Sequence, residues 1–201
     1  GDVFANRLPD PVLQQAENFA DSTVSANDCF KPISRYFDRI SRPEQLIQSL
    51  PKSMSILTDP ADCGPVTLSL CQDVQAEAYD YPSSLFIPKV WKIRRQVCDQ
   101  NELETVIKKI KSSKKPLLIA GGGVKYSGAE NELKQLVELT GVPFAVTQAG
   151  KSCLDETNSQ FVGSIGVTGS SSANQLAKDS DLVISVGSRL QDFTTGSNTL
   201  I

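Results

Sequence analysis

From Asp99 onward, stretches with apolar residues three and four apart alternate with short apolar runs of strand character, and this alternation is the strongest constraint on the fold. In the first helical stretch Leu103, Val106, Ile107 and Ile110 share one face, and Asp99 with Glu102 has the spacing of a capping box. Lys108, Lys109, Lys111, Lys114 and Lys115 crowd its end, where cations suit the helix dipole and solvent. Leu117, Leu118, Ile119 and Ala120, bounded by Pro116 and glycines, read as a buried strand. Ser127 and Glu130 read as a second capping box. The helix after them turns Leu133, Leu136, Val137 and Thr140 inward and ends at Gly141. Residues 143–147 and 181–187 read as two more strands, with a short helix over 172–178. Strands alternating with helices imply βαβ units and a parallel sheet, so the expected class is α/β and Rossmann-like.

The first half is also α/β but less regular. Ser41 is placed to cap a helix with Pro43 in its first turn, carrying Leu46, Ile47, Leu50, Met54 and Leu57. Pro51 falls inside that pattern and predicts a kink or two consecutive helices. Gly64 and Pro65 then turn the chain into a strand over 66–70. Residues 81–98, with two prolines, a serine pair and the mixed run "KVWKIRR", suit an ordered connector, and Trp91 would pack it onto a domain.

Composition narrows the chemistry. The 201 residues contain no histidine, which removes Ser-His-Asp and Cys-His catalysis and histidine-based metal sites. Acid–base work inside the chain would fall to Asp, Glu, Lys, Tyr or a cofactor. The five cysteines form no CxxC pair, so neither a disulfide framework nor a zinc site is expected. A net charge of −3 argues against nucleic acid. No apolar run approaches the roughly 18 residues that cross a bilayer, so no membrane partner is expected. The start, Gly1-Asp2-Val3-Phe4, has no initiator Met and no signal-peptide pattern, and reads as a cut within a longer chain.

Two glycine signals raise the question of a nucleotide. Gly121 and Gly123 fill the first two positions of a dinucleotide fingerprint, but Tyr126 occupies the third. No acid ends the next strand, where Gln148 stands, so nothing is placed to hold a ribose hydroxyl. Gly150, Lys151 and Ser152 look like the end of a phosphate loop, yet the residues before them read as strand and those after as a poor helix. Gly121, Gly122 and Gly123 therefore read as a tight structural turn.

Several longer runs carry a resemblance: "GDVFANRLPDPVLQQ", "SRYFDRISRPEQL", "LTDPADCGPVTLSLCQDVQAEAYDYP", "LLIAGGGVKYSGAE", "VTQAGKSCL" and "GVTGSSSANQLAKDSDLVISVGSRLQDFTTGS". Together they resemble the thiamine-diphosphate-dependent enzymes, in the branch that hydrolyses a carbon–carbon bond of a cyclic polyol dione during myo-inositol breakdown. The likeness covers nearly the whole chain. Part of it, "GPV" before a strand and "QDVQ", is shared with acetolactate-synthase-like enzymes.

The resemblance implies that residues 1–82 are the C-terminal part of a pyrimidine-binding domain and 83–98 a connector. Residues 99–201 would be a central Rossmann-like domain, a DHS-like NAD/FAD-binding fold that in most members has lost cofactor binding though some relatives hold a structural FAD there, cut short at its C-terminus. It implies thiamine diphosphate and Mg²⁺ in the full-length enzyme and none in this fragment. The activating glutamate would lie upstream and the "GDG…N" motif downstream. The activity implied is ring opening of the dione to 5-deoxy-glucuronate by a cytoplasmic homo-oligomer, with the fragment alone inactive. Asp28-Cys29-Phe30-Lys31 matches an Asp-Ala-Phe-Gln stretch that touches the substrate side in acetolactate-synthase-like relatives, which makes Phe30 and Lys31 candidates, although Cys29 and Lys31 depart from the pattern. Gln148 and Lys151, on a loop after a strand, are further candidates, and Arg189, Asp192, Thr194 and Thr195 stand similarly after the last strand. The alternatives are an acetolactate-synthase-like fragment, a free-standing Rossmann-like nucleotide-binding module, or a non-catalytic scaffold.

Overall fold

The computed structural model of the chain describes residues 1–6, 20, 21 and 23–201. The stretch of "GDVFANRLPDPVLQQ" from Arg7 onward lies outside the described residues. The chain divides into two compact units, Gly1–Gln96 and Val97–Ile201.

The N-terminal unit is built on one βαβ crossover. Strand β1 (Tyr36–Ile40) pairs in parallel with β2 (Val66–Leu70), from Tyr36 opposite Val66 to Ile40 opposite Leu70, and helix α1 (Leu46–Leu57) connects them. Among the described residues its apolar core is small: Ile40, Cys71 and Val74 are buried, with Ala5, Leu46 and Leu70 packed against them. Beside that core lies a polar clamp. Asp2 forms a parallel bridge with Cys71, and its side chain is fully buried. Its carboxylate accepts hydrogen bonds from the Ser69 hydroxyl, the Val3 N–H and Arg39 Nε, the last at 2.6 Å. Arg39 Nη2 also donates to Asp28 Oδ1 at 2.8 Å and to Ser25 Oγ at 3.0 Å. Burial pushes the Asp2 carboxyl up, but hydrogen bonds from Ser25, Ser69, Arg39 and the Val3 N–H outweigh it and bring the pKa from 3.8 down to about 2.

Two expectations for this unit need correction. Ser41 does not cap the helix; the Gln45 side chain reaches back instead, and its Oε1 accepts from the Ser41 N–H at 2.8 Å and the Arg42 N–H at 2.9 Å. A 3₁₀ turn over Pro43–Gln45 runs into α1, so two helical pieces do follow one another, but they join before Leu46 and α1 continues through Pro51. The apolar stripe of α1 is wider than the two strands beneath it: Ser49 and Ser53 are buried while Leu50 and Leu57 stay exposed. Ser49 donates to the Asp38 carboxylate and Ser53 to the Ser49 carbonyl, so both buried hydroxyls are satisfied.

In the C-terminal unit four parallel strands stand in the order β5-β4-β3-β6, with β3 at Pro116–Ala120, β4 at Phe144–Val146, β5 at Phe161–Ser164 and β6 at Leu182–Val186. Alternate residues of β3 enter opposite cores. Leu118 and Ala120 join Leu133, Val137 and Phe144 on the side of α4 (Glu130–Thr140). Leu117 and Ile119 join Ala145, Ile165, Ala173 and Ala177 on the side of α5 (Ser171–Asp179). Helices on both faces of a parallel sheet make this a doubly wound α/β unit. The Asp181 carboxylate accepts from the Ser113 hydroxyl and from the Lys114 and Lys115 N–H groups, tying the entry of β6 to that of β3.

The helices depart from the sequence reading in three places. Asp99 does cap α2 (Gln100–Ser112), accepting from the Asn101 and Glu102 N–H groups, but Leu103, Val106 and Ile107 remain exposed, because no sheet of this unit lies under that face. Ser127 caps nothing: it ends a separate short helix α3 (Gly123–Ser127) and donates to the Val124 carbonyl, and Gly128 at φ +65° breaks the chain before α4. Thr140 is exposed, with its hydroxyl turned back to the Leu136 carbonyl. Strand β5, which the sequence pattern left unmarked, forms the edge of the sheet.

The glycine turn after β3 lies directly on the backbone that follows β6. A Cβ on Gly121 would collide with the Gly187 carbonyl oxygen, and one on Gly123 would stand 2.7 Å from Gly187 Cα. The Gly121 N–H donates to Val186 O at 2.8 Å and the Gly123 N–H to Gly187 O at 2.9 Å. Only glycine permits two backbones to approach this closely.

Three outcomes follow. Arg39→Met leaves the buried Asp2 carboxylate unpaired and should destabilise the N-terminal unit by about 3 kcal/mol in urea melts. Because the folded-state pKa of Asp2 lies below 3.8, its stabilisation is complete above that value and disappears as pH falls from 3.8 to about 2. The loss should amount to roughly 2 kcal/mol, and an Asp2→Asn chain should melt with a flatter acid limb. Gly121→Ala should cost about 3 kcal/mol by overpacking against backbone, seen as a lowered melting temperature of the C-terminal unit.

Candidate functional site

The C-terminal ends of β3, β4 and β6 open into a cleft of about 690 Å³. The chain leaves β3 toward β4 on one side, and β6 lies on the other, so the cleft sits at the point where strand order reverses. That is where ligands meet open α/β sheets. The turn after β3 contributes Gly122, Gly123 and Tyr126, and the loop after β4 contributes Thr147, Gln148 and Lys151. Ser164 and Thr168 come from the end of β5 and its loop, and Ser188, Arg189 and Gln191 from the loop after β6.

These loops are fixed locally. Thr147 Oγ1 accepts from the Gly150 N–H at 3.1 Å and closes a 3₁₀ turn over Gln148–Gly150. Gly150 packs on the Ala120 carbonyl, where a Cβ would not fit. Lys125 Nζ donates to the Lys151 carbonyl at 3.3 Å, and Arg189 Nη2 to Gln191 Oε1 at 3.1 Å. Helix α6 (Asp192–Thr195) closes one side with Phe193 and Thr194.

The electrostatics follow from the residue types. The lining contains Lys151 and Arg189 but no Asp or Glu, and hydroxyl groups of Tyr126, Thr147, Ser164, Thr168 and Ser188 surround them. Neither cation has a carboxylate within ion-pair distance among the described residues. Such a wall suits oxygen-rich ligands with neutral or negative charge.

A dinucleotide is a poorer fit. The Gly121 and Gly123 N–H groups, which would have to meet a pyrophosphate, are taken by Val186 and Gly187, and the Val124 N–H goes to the Gly121 carbonyl. Helix α3 ends after five residues, and Tyr126 stands where the third glycine would be. The run Gly150-Lys151-Ser152 starts no helix, and Ser152 is left-handed at φ +62°, so the phosphate-loop geometry is missing too. Gly121 and Gly123 form a tight turn packed on the backbone of Gly187.

Of the residues singled out in the sequence, Gln148, Lys151, Arg189 and Thr194 line this cleft. Asp192 and Thr195 do not: Asp192 accepts from the Ser197 hydroxyl at 2.7 Å and Thr195 is buried in α6. Phe30 and Lys31 belong to the N-terminal unit, on a 3₁₀ segment over Ala26–Ile33. Phe30 is exposed; Lys31 Nζ is 2.8 Å from Asp28 and 5.2 Å from the Phe37 ring centroid. Ser164, Thr168 and Gln191 were not found in advance; the first two depend on β5, whose short run "FVGS" has a glycine and carries little strand signal.

Among the described residues no group of three or more His, Cys, Asp or Glu side chains is arranged to hold a metal ion, and no helix is long and apolar enough to cross a membrane. Residues 103–201 match the family model "Thiamine pyrophosphate enzyme, central domain". Over 200 residues, essentially the whole of this chain, the sequence is 50% identical to the 3D-(3,5/4)-trihydroxycyclohexane-1,2-dione hydrolase of Bacillus cereus (strain AH820). It is 49% identical over the same length to the hydrolase of that name from Bacillus thuringiensis (strain Al Hakam). The chain spans 31% of the length of each of these relatives. A doubly wound unit with a closed glycine turn, matched over residues 103–201, identifies this unit as a thiamine pyrophosphate enzyme central domain.

Proposed function

We propose that the chain is the middle third of a thiamine-diphosphate-dependent hydrolase that opens the ring of 3D-(3,5/4)-trihydroxycyclohexane-1,2-dione to 5-deoxy-glucuronate. The observation that carries this reading is the identity to such hydrolases over every part of the chain, in both units. In this reading residues 1–82 complete part of a pyrimidine-binding domain, 83–98 connect, and the enzyme is a cytoplasmic homo-oligomer acting on a small cyclic polyol dione.

The residues present do not fit thiamine diphosphate and its Mg²⁺. A diphosphate needs free backbone N–H groups or cations beside a metal held by oxygen ligands. Here the Gly121 and Gly123 N–H groups are engaged, and although Lys151 and Arg189 stand in the cleft, the described residues offer no carboxylate cluster to hold a metal beside them. We therefore assign the cofactor anchors to other parts of the enzyme. In this reading the chain's own contribution is positional: its sheet holds Gln148, Lys151 and Arg189 on fixed loops, and Phe30 and Lys31, on the 3₁₀ segment of the first unit, are the substrate-side candidates.

The decisive experiment exchanges these 201 residues for the corresponding stretch of the Bacillus cereus relative. The chimera should assemble and open the dione ring with thiamine diphosphate and Mg²⁺; a folded, assembled chimera without turnover would sink the proposal. The 201-residue chain alone should show no saturable calorimetric binding of thiamine diphosphate with Mg²⁺, and none of NAD. One-to-one binding of the thiamine cofactor by the chain would contradict the assignment of its anchors.

A further inference from the structure

We propose that the cleft at the C-terminal ends of β3, β4 and β6 is a binding site for a small polyhydroxylated carboxylate, a sugar acid, held by Arg189, Lys151 and Thr194. The site rests on its own lining and not on the reaction proposed above. Thr194 lines the cleft and is only 6% exposed, and its hydroxyl has no hydrogen-bond partner among the described residues. Its neighbour Thr195 is buried to the same degree but does not line the cleft, and its hydroxyl is satisfied inside the fold. Thr195 Oγ1 accepts from the Asn198 N–H at 3.1 Å and donates to the Asp192 carbonyl at 3.4 Å. A hydroxyl as deeply buried as that of Thr194 ordinarily finds a partner, and the cleft is where a ligand can supply one. Thr147 adds a second buried hydroxyl to the same wall: it accepts from the Gly150 N–H and keeps its own proton to donate.

The charge of the lining selects the ligand class. Arg189 and Lys151 have no carboxylate within ion-pair distance among the described residues, and no Asp or Glu lines the cleft. Arg189 is nonetheless oriented, because its Nη2 donates to Gln191 Oε1 at 3.1 Å, and its other donors remain for a ligand. Arginine and lysine only donate, so the ligand must bring acceptors; a carboxylate only accepts, and sugar hydroxyls accept as readily as they donate. A phosphate group would favour backbone N–H donors, but those of Gly121, Gly123 and Val124 are spent within the protein, which leaves recognition to side chains. Two exposed aromatic rings, Tyr126 and Phe193, stand in the same lining and offer apolar surface to the C–H face of a sugar ring. The cleft volume of about 690 Å³ falls within the roughly 300–1,000 Å³ of small-molecule sites. The ring-opened product of the proposed reaction is itself a molecule of this class.

The test titrates the 201-residue chain by calorimetry with glucuronate, glucose, inorganic phosphate and AMP. Glucuronate should bind saturably with a millimolar Kd, and glucose, which has a neutral hydroxymethyl group in place of the carboxylate, at least about tenfold more weakly. Arg189→Gln and Lys151→Gln should each weaken glucuronate about tenfold, the loss of one charge-assisted hydrogen bond. Thr194→Val should weaken it about fivefold without lowering the melting temperature, since the hydroxyl it removes makes no bond inside the fold. Absence of saturable glucuronate binding, or glucose bound equally well, would overturn the proposal. Phosphate or AMP bound more tightly than glucuronate, and lost in the same variants, would make the cleft a phosphate site and overturn it as well. A Thr194→Val chain that is less stable but binds glucuronate unchanged would give Thr194 a structural role and remove it from the site. None of these measurements depends on turnover, so each outcome leaves the functional reading to the chimera.

Discussion

The contact between the glycine turn after β3 and Gly187 after β6 is the constraint on which the C-terminal unit depends. Two backbones meet there with no side chain between them, and the Gly121 and Gly123 N–H groups are spent on the carbonyls of Val186 and Gly187. The same hydrogen bonds that let β6 lie against β3 remove the donors a pyrophosphate would need. A Rossmann-like sheet is thereby kept while its usual ligand geometry is lost. The cleft above the turn survives, but its chemistry comes from side chains on the loops after β4, β5 and β6.

The N-terminal unit is held differently. Among the described residues its buried apolar cluster has Ile40, Cys71 and Val74, a small set to fix the chain by packing alone. A fully buried carboxylate bridged to one arginine takes over part of that task. A buried pair of this kind gives little net stability compared with apolar packing, yet breaking it is costly, so it specifies one arrangement. Arg39 touches Asp2, Ser25, Asp28 and the Thr23 carbonyl, and so joins the chain start, the segment before the 3₁₀ turn and β1.

Both units leave apolar helix faces uncovered: Leu50 and Leu57 on α1, and Leu103, Val106 and Ile107 on α2. Each was expected to be inward from its periodicity. Amphipathic spacing reports that a helix has a face to bury, but not which surface buries it. The chain spans 31% of the hydrolases it resembles, and the functional reading gives those faces a larger protein in which to find partners.

The sequence by itself determined the class of the fold and the main chemical limits. Apolar runs bounded by glycine and proline marked β2, β3, β4 and β6, the absence of histidine excluded whole families of mechanism, and Tyr126 and Gln148 argued against a dinucleotide. Those features are local or compositional, so a linear reading reaches them. Tertiary structure alone decided the rest. Strand β1 was hidden because Asp38 and Arg39 sit within it, polar residues made tolerable by partners such as Ser49, Asp2 and Asp28 from elsewhere in the chain. Ser127 looked like a cap until Gly128 turned left-handed and split the helix in two. Ser164 and Thr168 reached the cleft through β5, a strand too short to announce itself but satisfied by pairing with β4. Capping, burial of charge and edge pairing depend on partners distant in sequence, and only the folded chain brings those partners together.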